Sequence, residues 1–150
     1  MNNREKSKLD IVSADSVVIE TAPVIEVEPE EIEISHGNAI TVLIKHDYYS
    51  SDSAHGRELL GAFISALQAR KADIARIFIA DSGVRLMAEN NSLYNEFKEL
   101  YSEVPVVTVC LESLEAYGMA MTDLPANCET LDEQEFASAV IGARGLLILE

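Results

Sequence analysis

The segment Val104-Pro-Val-Val-Thr-Val-Cys110 carries the clearest strand pattern of the chain, and Leu-Glu-Ser-Leu-Glu-Ala-Tyr-Gly118 follows it directly. A run of apolar and β-branched residues without alternation is typical of a strand buried on both faces of a parallel sheet. The eight residues after it predict a short helix, and the glycine at its end is a common helix stop. The sequence therefore predicts a buried strand that carries a cysteine to the start of a helix.

The rest of the sequence alternates between strand-like and helix-like patterns. Buried strands are predicted over residues 39–46 and 74–80, and shorter ones over residues 127–130 and 145–149. Amphipathic helices are predicted after the N-cap candidates Asp52 and Ser53, over Ser92–Ser102, and from the cap Asp132 to Ile141. Strands that alternate with helices form right-handed β-α-β units, so the sequence predicts an α/β fold with a parallel sheet covered on both faces.

The composition excludes several classes of function. The chain carries 26 acidic and 11 basic residues, a net charge of −15, and we expect no nucleic-acid binding because such a surface repels phosphate backbones. No apolar run reaches the roughly 20 residues of a membrane span, and the N-terminus has no secretory h-region. A cytoplasmic protein without a membrane partner is therefore expected.

Nucleotide-binding glycine loops and the Gly-x-Ser-x-Gly motif of serine hydrolases are also absent from the sequence.

Residues 1–38 differ in composition from residues 39–150, which are predicted to form the folded domain. The stretch Glu20–Glu33 holds six glutamates and no lysine or arginine, and two prolines interrupt it. This charge density predicts a flexible acidic tail. Isoleucine and valine alternate with glutamate in the same stretch, so a strand that adds to an exposed sheet edge is the alternative.

Cys110 is the strongest candidate for a reactive residue. A thiol at a helix N-terminus lies near the positive end of the helix dipole and near unpaired backbone N–H groups, and both favour the thiolate. Glu112 and Glu115 act in the opposite direction, because nearby negative charge disfavours a second anion. A small cysteine buried at a strand end is the structural alternative. The position of Cys110 by itself does not decide between the two.

The second cysteine and the histidines give weaker signals. Cys128 lies in an irregular stretch and is either a resolving thiol for Cys110 or an incidental cysteine. The cysteines and histidines have no paired spacing of a metal site, so neither a metal nor a cofactor is expected. His55 opens the first helix, where Arg57 and backbone N–H groups would suit an anion, and a plain helix start is the alternative.

Three loops follow the carboxyl ends of predicted strands, and they begin at His46, Asp81 and Cys110. In a parallel sheet these ends lie along one edge, which is where ligands and reactive groups gather. The sequence Asp81-Ser-Gly83 is a turn signal directly after a strand. We therefore expect Asp81 and Gly83 at the same edge as Cys110.

Three segments in collinear order resemble the DsrE-like family, and the YedF type within it most closely. The segment Ser53-Ala-His-Gly-Arg-Glu-Leu-Leu-Gly-Ala-Phe-Ile-Ser-Ala-Leu67 resembles the first-helix segment of the family. Ile77-Phe-Ile-Ala-Asp-Ser-Gly-Val-Arg-Leu86 is similar to its strand-and-turn motif. Val109-Cys-Leu-Glu-Ser-Leu-Glu-Ala-Tyr-Gly118 resembles the YedF-type Cys-Gly-Thr-Cys-Leu-x-x-Tyr-Gly segment. The resemblance covers residues 39–150.

The resemblance implies a three-layer α/β/α fold with a five-strand, mostly parallel sheet, and a homo-oligomer. In sulfur-relay members a cysteine at this strand end accepts sulfur as a persulfide, and only Cys110 occupies that position. The second cysteine of the motif is Ser113 here, so an internal Cys-x-x-Cys redox pair is lost. The YedF type also carries an N-terminal TusA-like sulfur-carrier domain. Because an acidic tail takes its place here, a separate TusA-like protein is the expected partner.

Two functions follow from these observations. In the first, the protein is a sulfur-relay protein, or sulfurtransferase, whose Cys110 thiolate accepts and passes on sulfane sulfur without a cofactor. Ser113 would hydrogen-bond the anion, and Asp81, Gly83 and His55 are the other candidate supporting or binding residues. In the second, the protein is a non-catalytic oligomeric module that binds a partner protein or a small anion and retains the cysteine passively.

Overall fold

The computed structural model describes residues 40–150, and the predicted acidic tail lies outside that part of the chain. Its strands and α-helices are, in chain order, β1 (Ile40–Ile44), α1 (Ala54–Gln68), β2 (Ile74–Ile79), α2 (Tyr94–Tyr101), β3 (Val106–Cys110), α3 (Leu111–Ala116), β4 (Cys128–Leu131), α4 (Glu133–Ile141) and β5 (Leu146–Leu149). Short 3-10 segments cover Lys71–Asp73, Asp81–Met87 and Met121–Asp123. Over residues 40–150, no helix combines the length and the apolar character needed to cross a membrane.

The strands form one sheet in the order β4-β3-β2-β1-β5. Every neighbouring pair in this sheet is parallel, whereas the resemblance implied a mostly parallel sheet. Helices pack on both faces of the sheet, so the molecule has three layers. The predicted α/β fold with a three-layer α/β/α arrangement is confirmed.

One face of the sheet is covered by α1, α2 and α3. Leu60 of α1, Phe97 of α2 and Leu114 of α3 are fully buried in the same core cluster as Val107 and Val109. Successive strand residues point to opposite faces, so the two valines of β3 define this face of the sheet. Burial of these apolar side chains is the main favourable contribution to folding on this side.

Among residues 40–150, one helix, α4, covers the other face of the sheet. Phe136 of α4 packs edge-on against Phe78 of β2, with ring centroids 5.4 Å apart. Leu43 and Cys110 complete the buried part of this second cluster. The thiol at the end of β3 therefore points away from the larger core and towards α4.

The helix starts follow the predicted caps closely. Ser53 Oγ accepts a hydrogen bond from the N–H of Gly56 at 3.0 Å, and Asp132 forms a capping box with Glu135. The other candidate cap, Asp52, pairs instead with Arg57 at 2.8 Å. The helix predicted to begin at Ser92 begins at Tyr94. The displacement arises because the preceding residues form a turn, in which the Asn91 side chain accepts from the N–H of Leu93 at 2.9 Å.

The two cap candidates of α1 should have different effects on stability. We expect Ser53→Ala to lower the free energy of unfolding by about 1 kcal/mol, because the N–H of Gly56 loses its acceptor. Asp52→Ala removes an exposed ion pair and should cost less than about 0.5 kcal/mol. Urea unfolding followed by circular dichroism measures both. Equal losses for the two variants would contradict the assignment of Ser53 as the cap.

Candidate functional site

At the carboxyl edge of the sheet, the connections after β3 and β4 leave towards opposite faces. β3 continues into α3 on the face that carries Leu114, and β4 continues into α4 on the face that carries Phe136. Adjacent strands whose connections leave to opposite faces open a crevice between them, which is where α/β sheets usually bind ligands. Cys110 lies at this point, opposite Leu131 in the register of the two strands.

A cleft of about 310 Å³ opens at this point of the sheet edge. It is lined by Ala80, Asp81, Glu112, Ser113, Ala116, Tyr117 and Glu133. Three of these side chains are carboxylates, and none is a lysine or an arginine. The electrostatic potential of the cleft is therefore negative, which favours cationic groups over anions.

Cys110 lies next to this cleft but is buried, with 6% of its surface exposed. Its Sγ atom donates a weak hydrogen bond to Oε1 of Glu112 at 3.8 Å. Cys110 occupies the N-cap position of the short helix α3, and its side chain makes no hydrogen bond to the helix N–H groups.

Ser113 connects α3 to the loop that follows β2. Its Oγ accepts a hydrogen bond from the backbone N–H of Asp81 at 2.8 Å. The phenol of Tyr117 donates to Oδ1 of Asp81 at 3.0 Å, so both polar residues on this side of α3 hold the same aspartate. The structure thus brings Ser113 and Asp81 together as a pair beside Cys110. The Ser113 hydroxyl bonds to the backbone of Asp81, whereas the Cys110 sulfur bonds to Glu112.

Gly83 allows the loop after β2 to pass close to β1. A Cβ atom at this position would lie 2.9 Å from the carbonyl oxygen of Ile44. The N–H of Gly83 donates to the carbonyl groups of Ala80 at 3.0 Å and Lys45 at 3.3 Å. Asp81 at the start of this loop has a φ of 50°, in the left-handed region that aspartate tolerates better than most residues. The predicted turn at Asp81–Gly83 is therefore a tight contact between the ends of two strands.

A buried carboxylate, Asp47, lies behind this loop and was missed by the sequence analysis. Asp47 is 7% exposed, and its carboxylate accepts from Arg85 at 3.3 Å and from Asn91 at 3.4 Å. The guanidinium of Arg85 also lies 5.0 Å from the centre of the Tyr117 ring. The available signal was an aspartate directly after a buried strand, which indicates a position at the carboxyl edge.

His46 joins the same group of side chains. Its Nδ1 atom lies 3.2 Å from Oγ of Ser82 and 3.7 Å from Oδ2 of Asp81. The ends of β1, β2 and β3 are thus linked by side chains, as the three loops in the sequence predicted. His46 and Asp81 face each other at this edge, and Ser82 is buried beneath them.

His55 contacts a residue outside this network. It lies on the first turn of α1, its side chain is exposed, and its recorded partner is Glu58 at 3.9 Å. A role for His55 in binding an anion remains a prediction from the sequence.

Cys128 lies on the opposite face of the sheet from Cys110. Cys128 is paired with Val107 and packs against the core cluster that contains this valine, whereas Cys110 belongs to the cluster of Phe136. Three residue positions along a strand correspond to about 10 Å. Burial also raises the pKa of the Cys128 thiol to about 11. The arrangement does not bring Cys128 to Cys110 as a resolving thiol.

Within the described part of the chain, no three side chains of histidine, cysteine, aspartate or glutamate are grouped so that they could hold a metal ion. The cleft and the adjacent Cys110 present a thiol, carboxylates and hydroxyl groups. Two of these pairs are in contact, the Cys110 thiol with Glu112 and the Tyr117 phenol with Asp81.

No protein-family model matches the sequence, and no curated protein matches it. Among solved structures, the fold is similar to that of the ychN protein from E. coli, which is 18% identical with a TM-score of 0.50; the alignment covers 75% of this chain and 99% of that chain. It is also similar to MTH1491, a protein of unknown function from Methanobacterium thermoautotrophicum, at 17% identity and a TM-score of 0.50, covering 74% and 98% of the two chains. At these identities the likeness concerns the fold alone.

The link between Tyr117 and Asp81 can be tested by titration. The hydrogen bond to Asp81 raises the pKa of Tyr117, because ionisation of the phenol would break it. We expect Asp81→Asn to lower this pKa, since the substitution removes the negative charge beside the phenol. NMR of tyrosine-labelled protein, with Tyr117→Phe to assign the signal, measures the change. Tyr101 is an internal control, because burial raises its pKa to about 12 and it should not respond. An unchanged pKa of Tyr117 would contradict the contact.

Proposed function

We propose that this protein is a DsrE-like sulfur-relay protein, closest to the YedF type, in which Cys110 accepts sulfane sulfur as a persulfide and passes it on. The observation that carries the proposal is the placement of the Cys110 thiol at the switch in chain direction, in contact with a carboxylate that lines the cleft. A reactive group at the carboxyl end of a strand, beside a crevice, is the usual arrangement of sites in parallel α/β proteins.

The transfer step requires no cofactor. The carboxylate of Glu112 takes the proton of the Cys110 thiol, and the resulting thiolate attacks the outer sulfur of a donor persulfide. The sulfur–sulfur bond of the donor breaks, and the donor thiolate leaves with that electron pair. The proton then moves from Glu112 to the leaving thiolate. One thiol and one persulfide are consumed and one of each is formed, so the step involves no net oxidation.

Access to the sulfur depends on Glu112 and on the first turn of α4. Cys110 belongs to the apolar cluster of Phe78 and Phe136, and its sulfur also contacts Glu112, one of the residues that line the cleft. Glu112 lies between the sulfur and the open cleft, since it contacts the first and lines the second. Rotation of this one side chain towards solvent would expose the thiol, and a side chain on a protein surface changes rotamer within nanoseconds.

The acidic rim of the cleft favours a basic partner. Asp81, Glu112 and Glu133 surround the opening without a lysine or an arginine among the lining residues. Complementary charge accelerates association and selects partners. We propose that the donor or acceptor is a separate TusA-like sulfur-carrier protein that presents a basic surface around its own cysteine.

The second candidate function is a non-catalytic module that binds a partner protein or a small ligand at the same edge. The observation that favours it is the environment of the thiol, which is buried and donates a weak hydrogen bond to Glu112. The hydroxyl of Ser113 is also engaged by Asp81 rather than directed at the sulfur. In this function the network around Asp81 shapes the surface, and Cys110 contributes only to packing.

Intact-mass measurement after incubation with a persulfide donor separates the two functions. We expect the protein to gain the mass of one sulfur atom and to lose it on addition of a thiol acceptor. Cys110→Ser should abolish the gain. Cys128→Ser should leave it unchanged, because the pKa of about 11 keeps the Cys128 thiol protonated at neutral pH. Absence of an adduct, or an adduct that survives in Cys110→Ser, would overturn the relay and favour the binding module.

The role of Glu112 has its own matched control. Glu112→Gln keeps the size of the side chain and removes the base, so the rate of sulfur transfer should fall by about tenfold or more while the folded state is retained. Glu115→Gln, an exposed position on the same helix, should leave the rate unchanged. A faster reaction in Glu112→Gln would show that the carboxylate acts only by suppressing the thiolate.

A further inference from the structure

The edge strand β5 has an outer side that is unusual for a protein surface. β5 lies at the end of the sheet, and within residues 40–150 no strand pairs with its outer side. Its sequence, Leu146-Leu-Ile-Leu149, contains no charged residue and no proline. Leu147 is 39% exposed, Ile148 is 44% exposed and Ile141 at the end of α4 is 84% exposed. Natural edge strands usually carry charges or proline that prevent pairing with another chain, and β5 has neither.

The backbone of β5 has hydrogen-bonding groups available on that side. The carbonyl groups of Gly145 and Leu149 accept from β1, at 3.0 Å from the N–H of Thr41 and 3.3 Å from the N–H of Lys45. Because the direction of N–H and C=O groups alternates along a strand, those of Leu146 and Ile148 point away from β1. Within residues 40–150, no strand pairs with these groups.

We propose that β5 pairs in antiparallel orientation with β5 of a second copy of the chain, around a two-fold axis at Leu147. The two sheets then form one continuous sheet across the dimer. A two-fold arrangement is self-complementary, so each contact occurs twice. This inference does not depend on the proposed sulfur chemistry, since Cys110 lies on β3, three strands away from β5 in the sheet.

The available backbone groups determine the register of this pairing. In an antiparallel pair, two residues whose groups face each other exchange both hydrogen bonds. With the axis at Leu147, Leu146 lies opposite Ile148 of the partner subunit, and the outward N–H and C=O groups of both are satisfied. The side chains of these two residues share the face of the sheet that carries Leu43 and Thr41. Cross-strand contact between them covers the apolar surface that is exposed in one copy.

Charge at the two ends of the strand also fits this register. Arg144 precedes β5, and Glu150 follows it. In the antiparallel arrangement, Arg144 lies near Glu150 of the partner subunit at both ends of the pair. The Lys45–Glu150 ion pair, at 2.6 Å, adds a second positive group at the same place. Opposite charges therefore meet at the interface of a chain whose net charge is −15.

Disulfide trapping tests the register directly. In a background of Cys110→Ser and Cys128→Ser, Leu147→Cys should form an intermolecular disulfide under mild oxidation. The two Leu147 residues face each other across the axis at a Cα separation of about 4.5 Å, which a disulfide can span. Ile148→Cys in the same background is the matched control. Its two copies would lie about 9 Å apart, which is too far for a disulfide.

Sedimentation of the full chain tests the association itself. We expect a dimer, and Ile148→Lys should raise its Kd on the order of 100-fold, because two buried isoleucines are lost in each dimer. Met121→Lys should have no effect, since Met121 is 53% exposed but precedes β4 at the opposite edge of the sheet. Circular dichroism confirms that each variant is folded. A monomeric wild-type protein, an assembly that Ile148→Lys leaves unchanged, or more efficient trapping through Ile148→Cys than through Leu147→Cys would overturn the proposal.

Discussion

The parallel pairing of β1, β2 and β3 determines where the polar side chains of the cleft lie. Because the strands run in one direction, His46, Asp81 and Cys110 all leave the sheet at the same edge. The loop after β2 then passes so close to Ile44 that a glycine is required at position 83. Asp81 is consequently held within reach of α3. The polar network at the cleft is a consequence of strand direction and of this close backbone contact.

Cys110 has an apolar environment on one side and a polar contact on the other. On one side its thiol is part of the apolar cluster formed under α4, and on the other it donates to a carboxylate that faces the cleft. Burial limits the access of solvent and oxidants to the sulfur, and Glu112 is its side-chain hydrogen-bond partner among residues 40–150. A relay requires that the sulfur becomes exposed when a donor binds, with Glu112 taking its proton. The same contacts would persist unchanged in a protein that only binds a partner.

The β-α-β pattern and the cleft position could be predicted from the sequence because they depend on local periodicity and strand order. The apolar runs before His46 and Cys110 each lack alternation, which is the signature of strands buried on both faces. The partners of the site residues could not be predicted in the same way. The contact of Ser113 with Asp81 joins residues 32 positions apart, and that of Arg85 with Asp47 joins residues 38 positions apart. Such pairs depend on loop geometry, for which a single sequence carries no periodic signal.

The sequence predicted the α/β class, the position of Cys110 at a strand end and the acidic character of the chain, and it offered Asp52 and Ser53 as alternative caps of α1, of which the structure uses Ser53. These features follow from residue types and their local spacing. The assembled fold places Cys110 and Cys128 on opposite sides of the sheet, brings Glu112 rather than the helix N–H groups to the thiol, and makes β5 an edge of the sheet formed by residues 40–150. The physical reason is that side-chain environments depend on strand order and on which helix covers each face, and both are set by contacts between residues distant in the chain.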